Sequence, residues 1–342
     1  CSGPGSIARP RIADDRVIRV IVGLRPYRPS GFVVRREDVG ARPVVHHYGH
    51  GGAGITLSWG TAQQAVELGF DGSGRDYAVV GCGVVGLTTA RLLQRRGGRV
   101  TIHARELPPN TTSNVAGGHW WPFSVYDAQS ASEPFLAQFH AAVRLSYREF
   151  QNLVGPRYGV SWRRNYGLSA AEHPISAFTA ALRDVAPELG NLPPGEHPFG
   201  PRWVQQFDTM MIEPSLYLPA LMDDFLAAGG RIEVRELATL REIASLPATA
   251  VFNCTGLGAR DIVGDAELVP ARGQLVVLLP QPELNYNLYG NGAYLFPRHD
   301  GLVIGGTFQR GDWNLQPDPA DTQQILQNAR AAMDWAAHCE TQ

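Results

Sequence analysis

The sequence predicts an α/β fold of two lobes, and three observations carry that expectation. Tyr77-Ala-Val-Val-Gly-Cys-Gly-Val-Val-Gly86 is an apolar strand entering a Gly-x-Gly-x-x-Gly turn, and Leu87-Thr-Thr-Ala-Arg-Leu-Leu93 continues it as a helix. That order is the pyrophosphate-binding start of a Rossmann βαβ unit. Short apolar runs alternate with amphipathic helical stretches along the rest of the chain, without repeats or low-complexity segments. With 342 residues and 44% hydrophobic content, the chain is long enough to bury two cores.

Composition narrows the function classes. A net charge of -2 offers no basic excess for nucleic acid or an anionic membrane. No apolar run reaches transmembrane length, and the residues from Cys1 to Arg9 lack a signal-peptide core, so a soluble, cytoplasmic protein is expected. All 30 basic residues are Arg, which excludes chemistry that needs a lysine amine. Cys82 and Cys254 lie in apolar strand-turn contexts and read as buried thiols, and no C-x-x-C spacing exists. His46, His47 and His50 sit on a strand-to-loop passage without further acidic or Cys ligands, so no metal is expected there and His50 reads as a structural donor.

Taken in order, Tyr48-Gly-His-Gly-Gly-Ala-Gly-Ile-Thr-Leu57 is a Gly-rich loop running into the apolar stretch from Ser58 to Phe70, and Gly72-Ser-Gly74 reads as a flexible joint to the fingerprint. Arg99-Val-Thr-Ile-His-Ala104 is the second Rossmann strand. It ends at Arg105-Glu106, where a carboxylate is placed for ribose hydroxyls and the Arg for a phosphate or adenine; two solvated charges are the alternative. Asn110-Thr-Thr-Ser-Asn-Val-Ala-Gly-Gly-His-Trp-Trp-Pro122 has small side chains that let its backbone approach a flat ring. Glu213 to Gly230 reads as an amphipathic helix with a Gly stop, Arg231 to Val234 as a short strand, and Ala250-Val-Phe-Asn-Cys-Thr-Gly-Leu-Gly258 as a buried strand ending in a Gly turn.

Read in rotated order, from Tyr77 to Gln342 and then from Cys1 to Phe70, the chain resembles the D-amino-acid oxidase family over nearly its whole length. The resemblance rests on the dinucleotide turn, Thr111-Thr-Ser-Asn-Val-Ala-Gly-Gly118, Asn253-Cys-Thr-Gly256 and Arg272-Gly-Gln274. It rests equally on Tyr294-Leu-Phe-Pro297 leading to Gly305-Gly-Thr-Phe-Gln309 and Trp313, on Gly23-Leu-Arg-Pro-Tyr-Arg-Pro29, and on Tyr48-Gly-His-Gly-Gly52. It implies an FAD-binding Rossmann-type lobe and a substrate lobe with a mixed β-sheet, in a circularly permuted chain order. The FAD lobe is expected at 43–122 and 214–264, with the joint at 72–74, and the substrate lobe at 1–42, 123–213 and 265–342.

The resemblance further implies oxidative deamination, with hydride passing from the substrate Cα to flavin N5 and O2 yielding hydrogen peroxide. Arg25 would bind the substrate carboxylate, Tyr294 would share it, and the Gly52 carbonyl would accept from the amine. FAD would rest on Gly81, Gly83, Val84, Val85 and Gly86, on Arg105 and Glu106, and on Thr112, Ser113, Gly117, Gly118, His119 and Trp120. Thr255 and Gly256 would complete the cradle with Gly51, Gly54, Ile55 and Thr56. The expected partners are a D-amino acid and O2, with room for a homodimer. Departures are visible: Gly290, beside Tyr289, stands where vertebrate members carry a lid Tyr, Trp121 replaces a frequent Gln, and His119 replaces an apolar residue. Which of Arg298, Arg310 and His119 points inward is open. A glycine or secondary-amine oxidase, a nicotinamide-dependent dehydrogenase and a silent flavin scaffold are the competing readings. The rotated order also places the two ends together, with Cys1 and Cys339 as near neighbours.

Overall fold

Two sheets organise the chain in the computed structural model, which describes residues 7–72 and 74–333; Ser73 of the joint, Cys1 and Cys339 lie outside them. One sheet runs in the order Val33–Val39, Arg42–Tyr48, Ala250–Asn253, Asp76–Val80, Arg99–Ala104 and Arg231–Val234. Beyond the first, antiparallel pair, its strands are parallel. Parallel strands are covered on both faces and therefore read as continuous apolar runs. Tyr77 to Val80 and all of Ala250–Asn253 are buried accordingly. Tyr77, Val79 and Phe252 join the large core on one face, whereas Ala78, Val80 and Val251 pack with Leu237, Ile243 and Leu246 on the other.

The residues ahead of the fingerprint are built into this sheet. Arg42–Tyr48 leads through the helix Gly54–Gly69 to Asp76–Val80, and Ala250–Asn253 lies between the two strands that this crossover joins. The helix Val84–Arg95 then carries the chain to Arg99–Ala104. Val33–Val39 falls within the 1–42 segment expected in the substrate lobe, yet it pairs along its whole length with Arg42–Tyr48. Gly40, at φ +63°, turns the chain tightly enough to keep the two strands together.

The second sheet is mixed, as expected. Its order is Val17–Tyr27, Val269–Leu278, Gly301–Gly305, Ala293–Arg298, Tyr286–Gly290, Val160–Ser169, Trp203–Ile212 and Gly190–Leu192, with Gln309–Arg310 added on Val269–Leu278. Only Tyr286–Gly290 against Val160–Ser169 is parallel among these pairs. Asn291 and Gly292, both at positive φ, close a two-residue hairpin between Tyr286–Gly290 and Ala293–Arg298, so a tight turn stands where a longer lid was in question. The helix Pro319–Met333 covers Leu295, Leu302 and Ile304 through Ile325, Leu326 and Ala329. From it Arg330 donates to the Ile12 carbonyl and pairs with Asp14 at 2.7 Å, so the two ends of the described chain lie side by side.

The helix Glu133–Gln151 crosses Gly54–Gly69, and both pack into one core. Gly60 allows the crossing: a Cβ there would stand 1.9 Å from the Ala142 carbonyl oxygen, and the Gly60 N–H donates to Ser146 Oγ at 2.8 Å. Gly60→Ala is therefore expected to destabilise the fold by about 1–3 kcal/mol, the usual cost of overpacking, read as a lower midpoint in urea denaturation; an unchanged midpoint would mean the helices do not cross this closely.

Candidate active site

Arg25 emerges near the C-terminal end of the Val17–Tyr27 strand and lies over Gly273 of the neighbouring strand. A Cβ on Gly273 would sit 2.1 Å from Arg25 Nη1. The same device repeats two strands away, where Tyr294 pairs with Gly305 and lays its ring across it; a Cβ there would meet the ring at 2.0 Å. The guanidinium donates to the Thr307 carbonyl at 3.2 Å, stands 5.6 Å from the Phe308 ring, and hydrogen-bonds the Tyr294 side chain. Desolvation raises the Tyr294 phenol above its ordinary value, and the Arg25 charge opposes the rise. The phenol is accordingly a neutral donor at physiological pH.

Gly52 approaches the same point from the turn ahead of the helix Gly54–Gly69. Gly51, at φ +57° and pressed against the Ser124 carbonyl, turns the loop, and the Gly52 N–H donates to that carbonyl at 3.1 Å. A Cβ on Gly52 would stand 3.6 Å from Arg25 Cδ. Three residues far apart in the sequence, Arg25, Tyr294 and Gly52, thus meet at one place. The Ser124–Asp127 loop is fastened by Asp127, which accepts from the Tyr27 hydroxyl and pairs with Arg310.

The dinucleotide turn has the shape a pyrophosphate needs. Gly81, at φ +110°, would clash with the Cys254 carbonyl if it carried a Cβ, and Gly86 would clash with the Gly81 carbonyl at 2.0 Å. Gly83 differs: its Cβ position is open except for Ser113 Oγ at 3.2 Å. Gly83 caps the helix Val84–Arg95, and the Val84 N–H meets Ser113 Oγ at 3.0 Å, leaving a cradle at a helix N-terminus that a side chain would fill and an anionic group suits. Val85 is half-buried in that helix. Gly256, at φ +57°, likewise faces open space, and Thr255 donates to Asn253 Oδ1. Thr112, Arg105 and Glu106 are exposed; Arg105 pairs with Glu236 at 3.2 Å and with Glu106 at 3.6 Å. Gly117 backs onto Phe296, Gly118 at φ +94° abuts the Ile212 carbonyl, and Gly54 faces Val84. Ile55 and Thr56 are buried at the start of their helix, with Thr56 Oγ1 donating to the Trp121 carbonyl. These residues fit FAD. The Trp120 indole is fully buried beside Tyr147 in the core.

His119 makes contacts that its sequence neighbourhood does not announce. Its ring stacks on Phe296 and Phe123, and its Nε2 hydrogen-bonds the Tyr289 hydroxyl at 2.6 Å and Asn165 Oδ1 at 2.9 Å. Its Nδ1 is enclosed with no partner. Burial pushes His119 down to about 3, which keeps the ring neutral. Arg298 and Arg310, the other candidates for a pocket cation, are held by Asp300 and Asp127. In the other lobe His46 meets Glu37 and Asn253, His47 meets Thr89, and His50 meets Thr61; these are structural partners.

The family model described as DAO, FAD dependent oxidoreductase, matches residues 76–337. The chain belongs to this DAO family of FAD-dependent oxidoreductases. It is 34% identical to a D-amino-acid oxidase of Streptomyces coelicolor over 262 residues, 75% of this chain and 77% of that one. To a D-amino-acid oxidase of Dictyostelium discoideum it is 31% identical over 269 residues, 75% of this chain and 71% of that one. The glycine oxidase of Geobacillus kaustophilus has the same fold, with a TM-score of 0.56 at 22% identity over 76% of this chain and 78% of that one. As a DAO-family oxidoreductase the protein uses FAD. The family match begins at residue 76, so Arg25 and Gly52 lie outside it, although Arg25 hydrogen-bonds Tyr294 within it and Gly52 lies against Arg25.

Two outcomes are expected. Gly83→Val fills the cradle at the helix N-terminus and should yield folded protein with little or no bound flavin, read by visible absorbance beside an intact circular dichroism melt; full flavin content would move the pyrophosphate elsewhere. Burial also lowers His50 to about 3 and His47 well below the ordinary 6.5. Below 6.5 the unfolded chain takes up protons that these folded-state imidazoles refuse, so stability is greatest above that value and falls as pH drops towards about 3. Urea midpoints should decline progressively across that window; a flat profile would show that these histidines are not buried neutral.

Proposed function

We propose that the protein is an FAD-dependent D-amino-acid oxidase whose substrate binds against Arg25, Tyr294 and Gly52. The observation that carries this reading is that Arg25 makes no ion pair among the described residues, while Arg28, Arg272, Arg298 and Arg310 around it are each held by a carboxylate. A half-buried guanidinium left without a counter-ion asks for an anion, and a substrate carboxylate meets its planar fork with two parallel hydrogen bonds. The neutral Tyr294 hydroxyl donates to the same carboxylate. The Gly52 carbonyl accepts from the amine, which keeps the substrate in one orientation without a side-chain base. Bound FAD supplies the two-electron acceptor for the Cα hydrogen and, through O2, hydrogen peroxide. The resulting imino acid takes up water and releases ammonia and a 2-oxo acid. The choice of a D-amino acid follows the relatives from Streptomyces coelicolor and Dictyostelium discoideum.

The rotated chain order belongs to the same proposal. It is supported by the start of the family match at residue 76, by a site that needs residues 25 and 52, and by Arg330 against Ile12 and Asp14. The FAD lobe is then the six-stranded sheet with its helices, and the substrate lobe is the mixed sheet.

A peroxide-coupled assay over D- and L-amino acids tests the reaction. Peroxide from D-amino acids alone supports it, whereas turnover of glycine or secondary amines only would make the chain a different amine oxidase. Arg25→Lys should retain flavin and lose about ten- to a hundredfold in kcat/KM, the worth of one charge-assisted hydrogen bond; kinetics within a few-fold of the parent would remove Arg25 from the site.

A further inference from the structure

Tyr27 ends the strand that carries Arg25, and its buried ring lies against Gly51, where a Cβ would stand 3.2 Å from Tyr27 Cδ2. The Tyr27 hydroxyl donates to Asp127 Oδ1 at 2.7 Å. Arg310 donates to both carboxylate oxygens of Asp127, at 2.7 and 2.8 Å, and its guanidinium lies over the Tyr27 ring, 4.4 Å from the centroid. Asp127 thus ties the 122–127 loop to two posts, the Val17–Tyr27 strand and the Gln309–Arg310 strand, each hydrogen-bonded into the mixed sheet on its own account. Ser124, in that loop, sits at φ +53°, in the left-handed region that a non-glycine residue enters only at a cost. It is the Ser124 carbonyl that accepts from the Gly52 N–H.

We infer that Asp127 is a positioning residue for the substrate amine: with Tyr27 and Arg310 it holds Gly51 and Gly52 at a set distance from Arg25, so that a substrate whose carboxylate lies on Arg25 presents its amine to the Gly52 carbonyl. The inference rests on the oxidase reading above. Two routes lead from Asp127 to that carbonyl, one through the Tyr27 ring to Gly51 and one through Ser124 to the Gly52 N–H. A strained residue keeps its conformation only where its surroundings over-determine it. Shortly after Ser124, the Asp127 side chain is held by Tyr27 and Arg310 while its own N–H donates to the Pro29 carbonyl at 2.8 Å. An isolated surface ion pair would contribute little. Here the pair is bidentate and shares a buried phenol, and the hydrogen bonds from Arg310, then that from Tyr27, hold Asp127 below the usual carboxylate range and so keep it charged. Arg25 is seated without Asp127, since its guanidinium rests over Gly273 and bonds the Thr307 carbonyl and the Tyr294 side chain. Loosening Asp127 therefore acts on the amine and spares the carboxylate.

The test uses the holoenzyme and two variants: the double variant Asp127→Ala with Arg310→Ala, which removes the pair without changing the net charge, and Tyr27→Phe, which removes only the hydroxyl. Each is measured for kcat/KM on D-alanine, by peroxide release per bound flavin, and for the Kd of benzoate, a carboxylate without an amine, by calorimetry. The double variant should lose about tenfold or more in kcat/KM, the worth of one well-placed hydrogen bond, with its benzoate Kd within about twofold of the parent. Tyr27→Phe should move kcat/KM in the same direction by a smaller factor and leave benzoate alone. A kcat/KM within about twofold of the parent in both variants, or benzoate binding that weakens in step with kcat/KM, would overturn the positioning role and leave the oxidase reading standing. No oxidation of any D-amino acid, or no benzoate binding, by the unsubstituted holoenzyme would instead remove the reading on which it rests.

Discussion

The site depends on two side chains that are missing. Arg25 and Tyr294 occupy the space where Gly273 and Gly305 would carry a Cβ, at separations of 2.1 and 2.0 Å, so a side chain at either position would displace them. A close-packed interior accepts a volume change of a single methyl only by moving something. Here the thing to move would be the guanidinium or the phenol. The two glycines thus act as a floor: they set how deep Arg25 and Tyr294 lie, which in turn sets where a carboxylate would rest relative to Gly52. The charge arrangement follows from the same packing, because neighbouring arginines are drawn to Asp127, Asp265, Asp300 and Asp321 and Arg25 is left over.

Gly52 reaches this floor by a different route. The Gly-rich loop is anchored to the first parallel crossover, and its helix is locked against Glu133–Gln151 at Gly60. The Gly51 and Ser124 contact then brings the loop to the second lobe. The crossover from Arg42–Tyr48 to Asp76–Val80 is a continuous chain through the joint near Gly72, so carbonyl-bearing loop and dinucleotide turn share one sheet and one core. Their relative position is therefore set by buried apolar packing.

Much of this was legible in the residues themselves. The dinucleotide turn is legible because its glycines answer local steric demands, visible as clashes at Gly81 and Gly86 and as open space at Gly83. Arg25 and Tyr294 were legible only as members of motifs, since nothing in Arg-Pro-Tyr-Arg says that Arg28 is taken up by Asp265 and Glu267 while Arg25 makes no ion pair among the described residues. Long-range pairing of that kind has no local signature. The same holds for Val33–Val39, which the Gly40 turn and its pairing with Arg42–Tyr48 assign to the six-stranded sheet. Tyr289 was noticed for standing beside Gly290, but its direction follows from ladder register across three strands, which a one-residue slip would reverse. Trp120 sits in a segment that approaches the flavin site by its backbone, and its indole was free to fill the core.

The central claim is that an amino acid held by Arg25, Tyr294 and Gly52 delivers its Cα hydrogen to the flavin, with the D configuration required. Anaerobic mixing of the yellow holoenzyme with D-alanine and, separately, with L-alanine tests this without reference to oxygen or coupling enzymes. Rapid bleaching of the visible flavin absorbance by D-alanine, and none by L-alanine, is the result this account predicts. Flavin that stays oxidised with both, or bleaches equally with both, would contradict it.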